Sequence, residues 1–305
     1  MYLLLIVGFL LLIKGADFFV EGSSSIAKIL KVPSVVIGLT IVALGTSAPE
    51  AAVSITAGLS GKNDIALSNI LGSNIFNTLV VIGVCAIIKP FVADKAIIKR
   101  DLPINIFVSL LVILFLIDGK INRFEGIGLL LVTVIYITIL VLSAIKNRTE
   151  AEDDIKVKSP IVSIIYIVGG LAAIVFGGDL TVDNASKIAA EFGMSDTLIG
   201  LTIIAVGTSL PELMTSIVAA RKGESGLALG NAIGSSILNI IFILGVSSVL
   251  SPITPEATAF MDAIIVFVVG TIIFVFSKTN DKITRMEGVL SVGAYIAYMV
   301  YAIMR

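Results

Sequence analysis

The sequence predicts an all-α integral membrane protein of ten transmembrane helices, arranged as two five-helix repeats of inverted topology. Three observations predict this fold. The 305 residues are 57% hydrophobic and only 14% charged, with a mean hydropathy of +1.09, whereas a soluble domain carries about 25% charged residues. Apolar runs long enough to cross a bilayer recur along the whole chain. The two halves of the chain also repeat one another at a constant offset.

A run of roughly 18 or more apolar residues reads as a membrane span. Ten such runs cover about 2–20, 34–59, 65–88, 102–118, 124–145, 160–180, 196–219, 227–250, 260–277 and 285–304. The first lacks a basic start and a small-residue cleavage site, so it reads as a retained helix and not as a leader. Residues 146–159, KNRTEAEDDIKVKS, are charged and polar and read as a short exposed linker. The expected organisation is a first repeat over 1–145, this linker, and a second repeat over 160–305.

The repeat appears when the chain is slid along itself by 162 positions, the separation of Glu50 and Glu212. GTSAPE (45–50) then meets GTSLPE (207–212) without a gap. Asp17 meets Asp179, Gly38 meets Gly200, Asn69 meets Asn231, Ser73 meets Ser235 and Asn77 meets Asn239. Pro90 meets Pro252, and Glu125-Gly126 meets Glu287-Gly288. Five helices per half is an odd number, so the second half enters the membrane from the opposite side, an arrangement found in many secondary transporters.

Charge orients the repeats. Loops after helices 1, 3, 5, 7 and 9 carry fifteen lysines and arginines, among them Lys28, Lys89, Lys146 and Arg221. The opposite side carries Lys62, Lys120, Arg123, Lys187 and Arg305. Positive residues stay in the cytoplasm. The expected location is therefore the cell membrane, multi-pass, with both termini extracellular and the linker 146–159 cytoplasmic. The sequon-like Asn147-Arg148-Thr149 then lies on the unglycosylated side.

Several function classes are unsupported. There is no histidine, which removes the commonest transition-metal ligand and proton shuttle. The single cysteine, Cys85, allows no intrachain disulfide and reads as core filler. No phosphate-binding loop or dinucleotide fingerprint occurs, so neither ATP drive nor a cofactor is expected. The net charge of −1 and the lack of a large basic patch give no reason to expect nucleic acid.

The chemistry lies in the motifs. A lipid-facing carboxylate at mid-membrane is costly, so Glu50 and Glu212 should face the protein interior. Pro49 and Pro211 each remove a backbone donor and disturb the helix ladder, and Gly45 and Gly207 tolerate the irregular backbone that results. Carbonyls such as those of Ala43, Thr46, Ala205 and Thr208 are then expected to be free for a ligand. Ser47 and Ser209 precede each glutamate by three residues, on nearly the same helix face. The next helix of each half adds polar stripes at i, i+4 and i+8: Asn69, Ser73 and Asn77, then Asn231, Ser235 and Asn239. Ser68 with Gly72, and Gly230 with Gly234, are small-residue pairs that permit close helix approach.

Brought together by inversion, these groups make a cage of oxygen donors without nitrogen or sulfur. Hard cations such as Ca²⁺ take about six to eight oxygens, and Na⁺ is similarly hard. Two ionised glutamates are neutralised by one Ca²⁺ or two Na⁺. When the site is empty the two carboxylates repel, so protons should compete with cations. Asn69 and Asn231 equally suit bonds between helices without ion contact. Asp17 and Asp179 are expected near helix ends, in an interfacial, gating or capping role, and Lys14 snorkels to an interface.

At GTSAPE, GTSLPE, GSNIFN (72–77) and GSSILN (234–239) the chain resembles the sodium/calcium exchanger family of the cation/Ca²⁺ antiporter superfamily, over its whole length. The resemblance implies Na⁺-driven Ca²⁺ antiport by alternating access, with helices 1 and 6 sliding against a fixed core. It implies Glu50 and Glu212 as central Ca²⁺ ligands. Thr46, Ser47, Ser73, Thr208, Ser209 and Ser235 would contribute oxygens to Na⁺ or Ca²⁺, and Asn77 and Asn239 would complete the layer. Some members carry an aspartate where Asn239 stands, so the amide removes one possible charge here. The partners implied are Ca²⁺ and Na⁺ as transported ions and the lipid bilayer, with a monomer sufficient because one chain holds both halves of the site. A Ca²⁺/H⁺ antiporter, an ion channel and an intramembrane hydrolase are the competing readings.

Overall fold

The computed structural model describes residues 1–61, 63–92, 94–146, 158–194, 199–279 and 282–305. The linker's residues 147–157, with the sequon-like triplet, lie outside the described residues. Ten helical segments follow the apolar pattern. They are α1 (Tyr2–Ile29), α2a (Ser34–Thr46) and α2b (Ala48–Leu59), α3 (Asp64–Ile88), α4 (Ile97–Asp118), α5 (Arg123–Lys146) and α6 (Pro160–Glu191). Then come α7a (residues 200–207), α7b (Leu210–Lys222), α8 (Ser225–Leu250), α9 (Thr258–Thr279) and α10 (Arg285–Met304). The break in α2 bends the helix by 50°.

The largest differences from the sequence reading are at the ends of α1 and α6, and α4 also starts some five residues earlier, at Ile97. Helices α1 and α6 run some nine to eleven residues past their apolar runs; in α1 the polar residues that look like a terminus pack against the start of α6. The Ser163 hydroxyl donates to Ser25 Oγ at 2.9 Å, and Glu21 meets Lys158 Nζ at 3.0 Å. Asp17 and Asp179 therefore sit within helices, not at their ends, and cap nothing.

The core is built from helices that approach to backbone contact. Gly15 in α1 faces Gly170 and Ile174 in α6, and its repeat mate Gly177 faces Gly8 and Leu12. A Cβ on Gly15 would sit 2.8 Å from the Gly170 carbonyl oxygen. Gly45 and Gly207, expected to serve irregular backbone, serve contact instead. Neither has positive φ; a Cβ on Gly45 would press on Phe19 at 3.1 Å, and one on Gly207 would overlap Val182.

Inversion is visible in how the halves join. Phe91, after α3, pairs with Ile283, before α10. Its repeat mate Ile253, after α8, bridges to Ile121, before α5. The third loop of one repeat thus meets the fourth loop of the other, on both faces, and this two-residue β pair is the one departure from helix among the described elements. The helices that follow start alike. Thr284 and Glu287 form a capping box on α10, and Asn122 and Glu125 exchange the same reciprocal bonds on α5. Such boxes satisfy N–H groups that a helix start leaves without partners.

A buried tyrosine–aspartate–arginine group ties the outer helices of each half. Tyr136 donates to Asp101, which Arg100 grips with two bonds of 2.9 and 3.0 Å. The repeat mate Tyr298 donates to Asp262, gripped by Arg305 with two bonds of 2.7 Å. Sequence reading missed this pair because the aspartates and arginines do not share the offset of 162.

The repeats are not packed equally. A Cβ on Gly234 in α8 would meet the Leu39 Cα of α2a at 2.8 Å, whereas one on the equivalent Gly72 in α3 meets nothing within 4 Å. Gly234→Ala should therefore cost on the order of 1–3 kcal/mol through overpacking. Gly72→Ala should be neutral or stabilise by up to about 1 kcal/mol through helix propensity. Apparent Tm of the two variants in detergent checks this; equal effects would mean that the packing difference is not real.

Candidate cation site

Each broken helix starts again with Ser-x-Pro-Glu. Ser47 is the N-cap of α2b and Ser209 that of α7b, with proline near N1 and glutamate in the first turn. Serine and glutamate three apart have the spacing of a capping box, yet neither serine caps its own helix. The two boxes are exchanged across the repeats. Ser47 donates to Glu212 Oε1 at 3.0 Å, and Ser209 donates to Glu50 Oε1 at 3.0 Å. Both glutamates are fully buried, in a helix's first turn, where the helix dipole favours negative charge.

The second helix of each repeat supports this crossing in matched pairs. Asn69 donates to the Glu50 carbonyl oxygen at 3.3 Å and to Ser54 Oγ at 3.0 Å. Asn231 donates to the Glu212 carbonyl oxygen at 3.2 Å and to Ser216 Oγ at 2.9 Å. Both asparagines thus brace the glutamate backbone and join helices. Ser54 and Ser216 went unremarked in the sequence, although they too repeat at 162. Ser73 lies 3.3 Å from Glu50 Oε1 and 3.1 Å from Ser209 Oγ. Ser235 reaches the Ala43 carbonyl oxygen at 3.5 Å.

What remains unbonded defines the site. Glu50 Oε2, Glu212 Oε2, Thr208 Oγ1, Asn239 Oδ1 and both amide atoms of Asn77 are buried without a hydrogen-bond partner. Buried polar groups in native proteins are nearly always satisfied; six of the fourteen unpaired atoms among the described residues belong to these motif residues, which suits a ligand there. No lysine or arginine pairs with either glutamate among the described residues, and no third acidic, histidine or cysteine side chain joins them. Oxygen donors carrying two negative charges fit a hard cation. Four π-helical segments flank the site in repeat-related pairs, starting at Gly38 and Gly200 and at Asn77 and Asn239. Such segments concentrate at functional sites.

Eleven of the twelve residues singled out in the sequence are buried or partly buried, Ala205 being exposed; the two alanine carbonyls differ from expectation. The Ala43 carbonyl is not freed, because the Ser47 N–H bonds to it at 3.0 Å. The donors lost at Pro49 and Pro211 are those that a continuous helix would aim at Gly45 and Gly207. In the second repeat the Ser209 N–H turns to Val206 instead, at 3.1 Å, and Ala205 is exposed where Ala43 is buried. Thr46 donates to Asn231 Oδ1 at 2.9 Å, while its mate Thr208 is among the orphans.

The two broken helices have unequal surroundings. A cavity of about 510 Å³ is lined by Pro49, Asp179, Asp183, Thr208 and Pro211, among others. On the other side α2a lies tight on α8, where a Cβ on Gly230 would meet the Val35 carbonyl oxygen at 2.8 Å. Lys222, at the end of α7b, reaches Asp17 Oδ1 at 3.3 Å. Asp17 thus meets a cation while its mate Asp179 lines the cavity. Lys14 is exposed and lies 3.9 Å from Asp17.

Inverted repeats that meet in a buried carboxylate site beside such a cavity define a membrane carrier of cations. Comparison with known proteins narrows the class. The family profile described as sodium/calcium exchanger protein matches residues 1–142 and 162–304. The chain is 43% identical to the putative antiporter CaxA of Alkalimonas amylolytica, over 96% of this chain and 95% of that one. It is 33% identical to the sodium/calcium exchanger MaX1 of Methanosarcina acetivorans, over 98% and 97%. The structure of the sodium-calcium exchanger NCX_Mj soaked with zero Na⁺ and Ca²⁺ superposes with a TM-score of 0.86 at 34% identity, covering all of both chains. The chain belongs to the sodium/calcium exchanger family and is a cation/Ca²⁺ antiporter of the membrane.

The exchanged capping bonds make a direct prediction. Ser47→Ala combined with Glu212→Gln, and Ser209→Ala combined with Glu50→Gln, should be coupled by roughly 0.5–3 kcal/mol. Double-mutant cycles on thermal unfolding in detergent measure the coupling. Strict additivity in both cycles would show that the serines do not hold the opposite glutamates.

Proposed function

We propose that the protein exchanges Na⁺ for Ca²⁺ across the cell membrane by alternating access, as a monomer. One observation carries this reading: each buried glutamate accepts from the other repeat's serine and keeps one oxygen without a partner. Those two oxygens are the central ligands. Thr46, Ser47, Ser73, Thr208, Ser209 and Ser235 supply further oxygens, and Asn77 and Asn239 complete the layer; the Ala43 carbonyl, already bonded to Ser47 N–H, and the exposed Ala205 are not needed as ligands.

Charge balance makes the exchange obligatory. One Ca²⁺ or two Na⁺ neutralise the pair of carboxylates, and an empty, doubly charged site is costly to close away from water. The carrier therefore changes sides loaded. A third Na⁺ would leave a net positive complex, whose movement responds to membrane voltage. Hydroxyl donors around the glutamates, and the lack of any histidine, favour Na⁺ over H⁺ as the co-ion.

Orientation follows from the lysine and arginine bias, with both termini outside and residues 146–159 inside. The cavity beside α7a, next to the loop that follows α6, then faces outward, and the tight α2a–α8 contact closes the cytoplasmic side. Transport exchanges these roles between the repeats.

Proteoliposomes loaded with Na⁺ and diluted into Na⁺-free, K⁺-free buffer should take up Ca²⁺. Choline-loaded vesicles should not, and Glu50→Gln or Glu212→Gln should abolish uptake. Uptake driven by a pH gradient alone would assign proton antiport instead. For orientation, Lys120→Cys in a Cys85→Ser background should react with an impermeant maleimide on intact cells, and Lys89→Cys only after lysis. The reverse pattern would invert the topology.

A further inference from the structure

We propose that Asn74, which lies inside the GSNIFN motif but is not among the candidate ligands, is a positioning residue that aims the Asn239 side-chain oxygen at the transported ion. The inference rests on Asn239 being a ligand, as proposed above. Asn74 lies in α3 and is fully buried. Its Nδ2 donates to the Ser236 carbonyl oxygen of α8 at 2.9 Å, and Asn239 Nδ2 donates to Asn74 Oδ1 at 3.2 Å. The two amides form a relay across the repeat interface.

The relay has a single sense. A backbone carbonyl only accepts, so Asn74 must turn its NH₂ toward Ser236. Its oxygen then faces Asn239, which must answer with its own NH₂. The Asn239 oxygen is left pointing away from the relay, and it is one of the buried atoms without a partner. An amide free to rotate would offer a cation its NH₂ as readily as its oxygen. Anchoring on a backbone atom removes that choice, because reversing Asn239 would require reversing Asn74 against a carbonyl. Both ends of Asn74 are bonded to protein, unlike the Asn239 oxygen.

The other repeat lacks the device. Position 236, the mate of Asn74, is a serine whose hydroxyl donates to Ala232 of its own helix at 3.0 Å, and both amide atoms of Asn77 stand unbonded. The two central amides are thus unequal, Asn239 a fixed oxygen donor and Asn77 a rotatable one. Groups that orient a metal ligand from behind change metal affinity by about 10- to 100-fold when removed. Ca²⁺, which needs about six to eight oxygens at once, should feel a misaimed amide more than Na⁺.

Equilibrium binding of ⁴⁵Ca²⁺ to the purified full-length protein in detergent tests this. Asn74→Leu should raise the Kd about tenfold, and Asn239→Ala should raise it as well. The double variant should bind no more weakly than Asn239→Ala alone, since Asn74 acts through Asn239. Binding by Asn74→Leu within about twofold of the parent, or effects that multiply in the double variant, would overturn the assignment. Should Asn74→Leu not fold, Asn74→Asp decides. A protonated carboxyl reproduces both bonds, so at acid pH this variant should match the parent measured at the same pH, and weakened binding at every pH overturns the relay. The parent and its Glu50→Gln and Glu212→Gln variants are read in the same assay. If the parent fails to bind, or binds independently of the glutamates, the site reading fails and Asn74 with it; if only Asn74→Leu is silent, the positioning role alone is wrong.

Discussion

Two buried carboxylates, with no lysine or arginine paired to them among the described residues, are the constraint around which this molecule is arranged. Burying an unpaired carboxylate costs several kcal/mol even after relaxation. Part of that cost is met by geometry. Each glutamate stands in the first turn of a half-helix and accepts a hydroxyl from the opposite repeat. The remainder is left for a visiting cation. A lysine or arginine in that place would have satisfied the carboxylates permanently and ended their use as an exchangeable site.

The crossed serine–glutamate bonds require two helix starts to meet head to head at the centre of the protein. That meeting demands helices broken in the middle and helices able to approach to backbone distance. Proline at 49 and 211 supplies the break. Glycine at 38, 230 and 234 supplies the approach on one side. Asn69 and Asn231 then fix the resumed helices by bonding the backbone of the glutamates themselves. Motif, break, contact and brace are one solution, present twice. Differences between the copies give the molecule its direction: Lys222 has no basic counterpart at position 60, and Gly72 has no neighbour where Gly234 has one.

Most of this was legible in the sequence because the repeat doubles every signal. A single glutamate in an apolar run is ambiguous, but two in the same motif at one offset are not. The helices, their inversion and the cluster around Glu50 and Glu212 follow from that doubling. Features outside the repeat stayed hidden. Asp101 and Asp262 are offset by 161 positions, not 162, so their shared bond to Tyr136 and Tyr298 is invisible to an alignment. The true end of α1 was missed because hydropathy registers the serines and charges after residue 20, not the partner helix that covers them. The roles of Gly45 and Gly207 were misjudged because sequence shows where glycine stands, not what lies opposite.

The contact between α1 and α6 has a consequence that belongs to the membrane. These helices have 28 and 32 residues, about 42 and 48 Å at 1.5 Å per residue, against a hydrocarbon core of about 30 Å. They touch through glycines, so neither tilts without the other. Each turns much of its surface to lipid. The apolar part of each is shorter, about 19 and 21 residues, and matches that core, so the polar turns beyond it reach into the headgroup layers on opposite faces. Any sliding of the joined pair against the ion-binding core would have to draw those polar turns through the membrane surface, which bounds its travel.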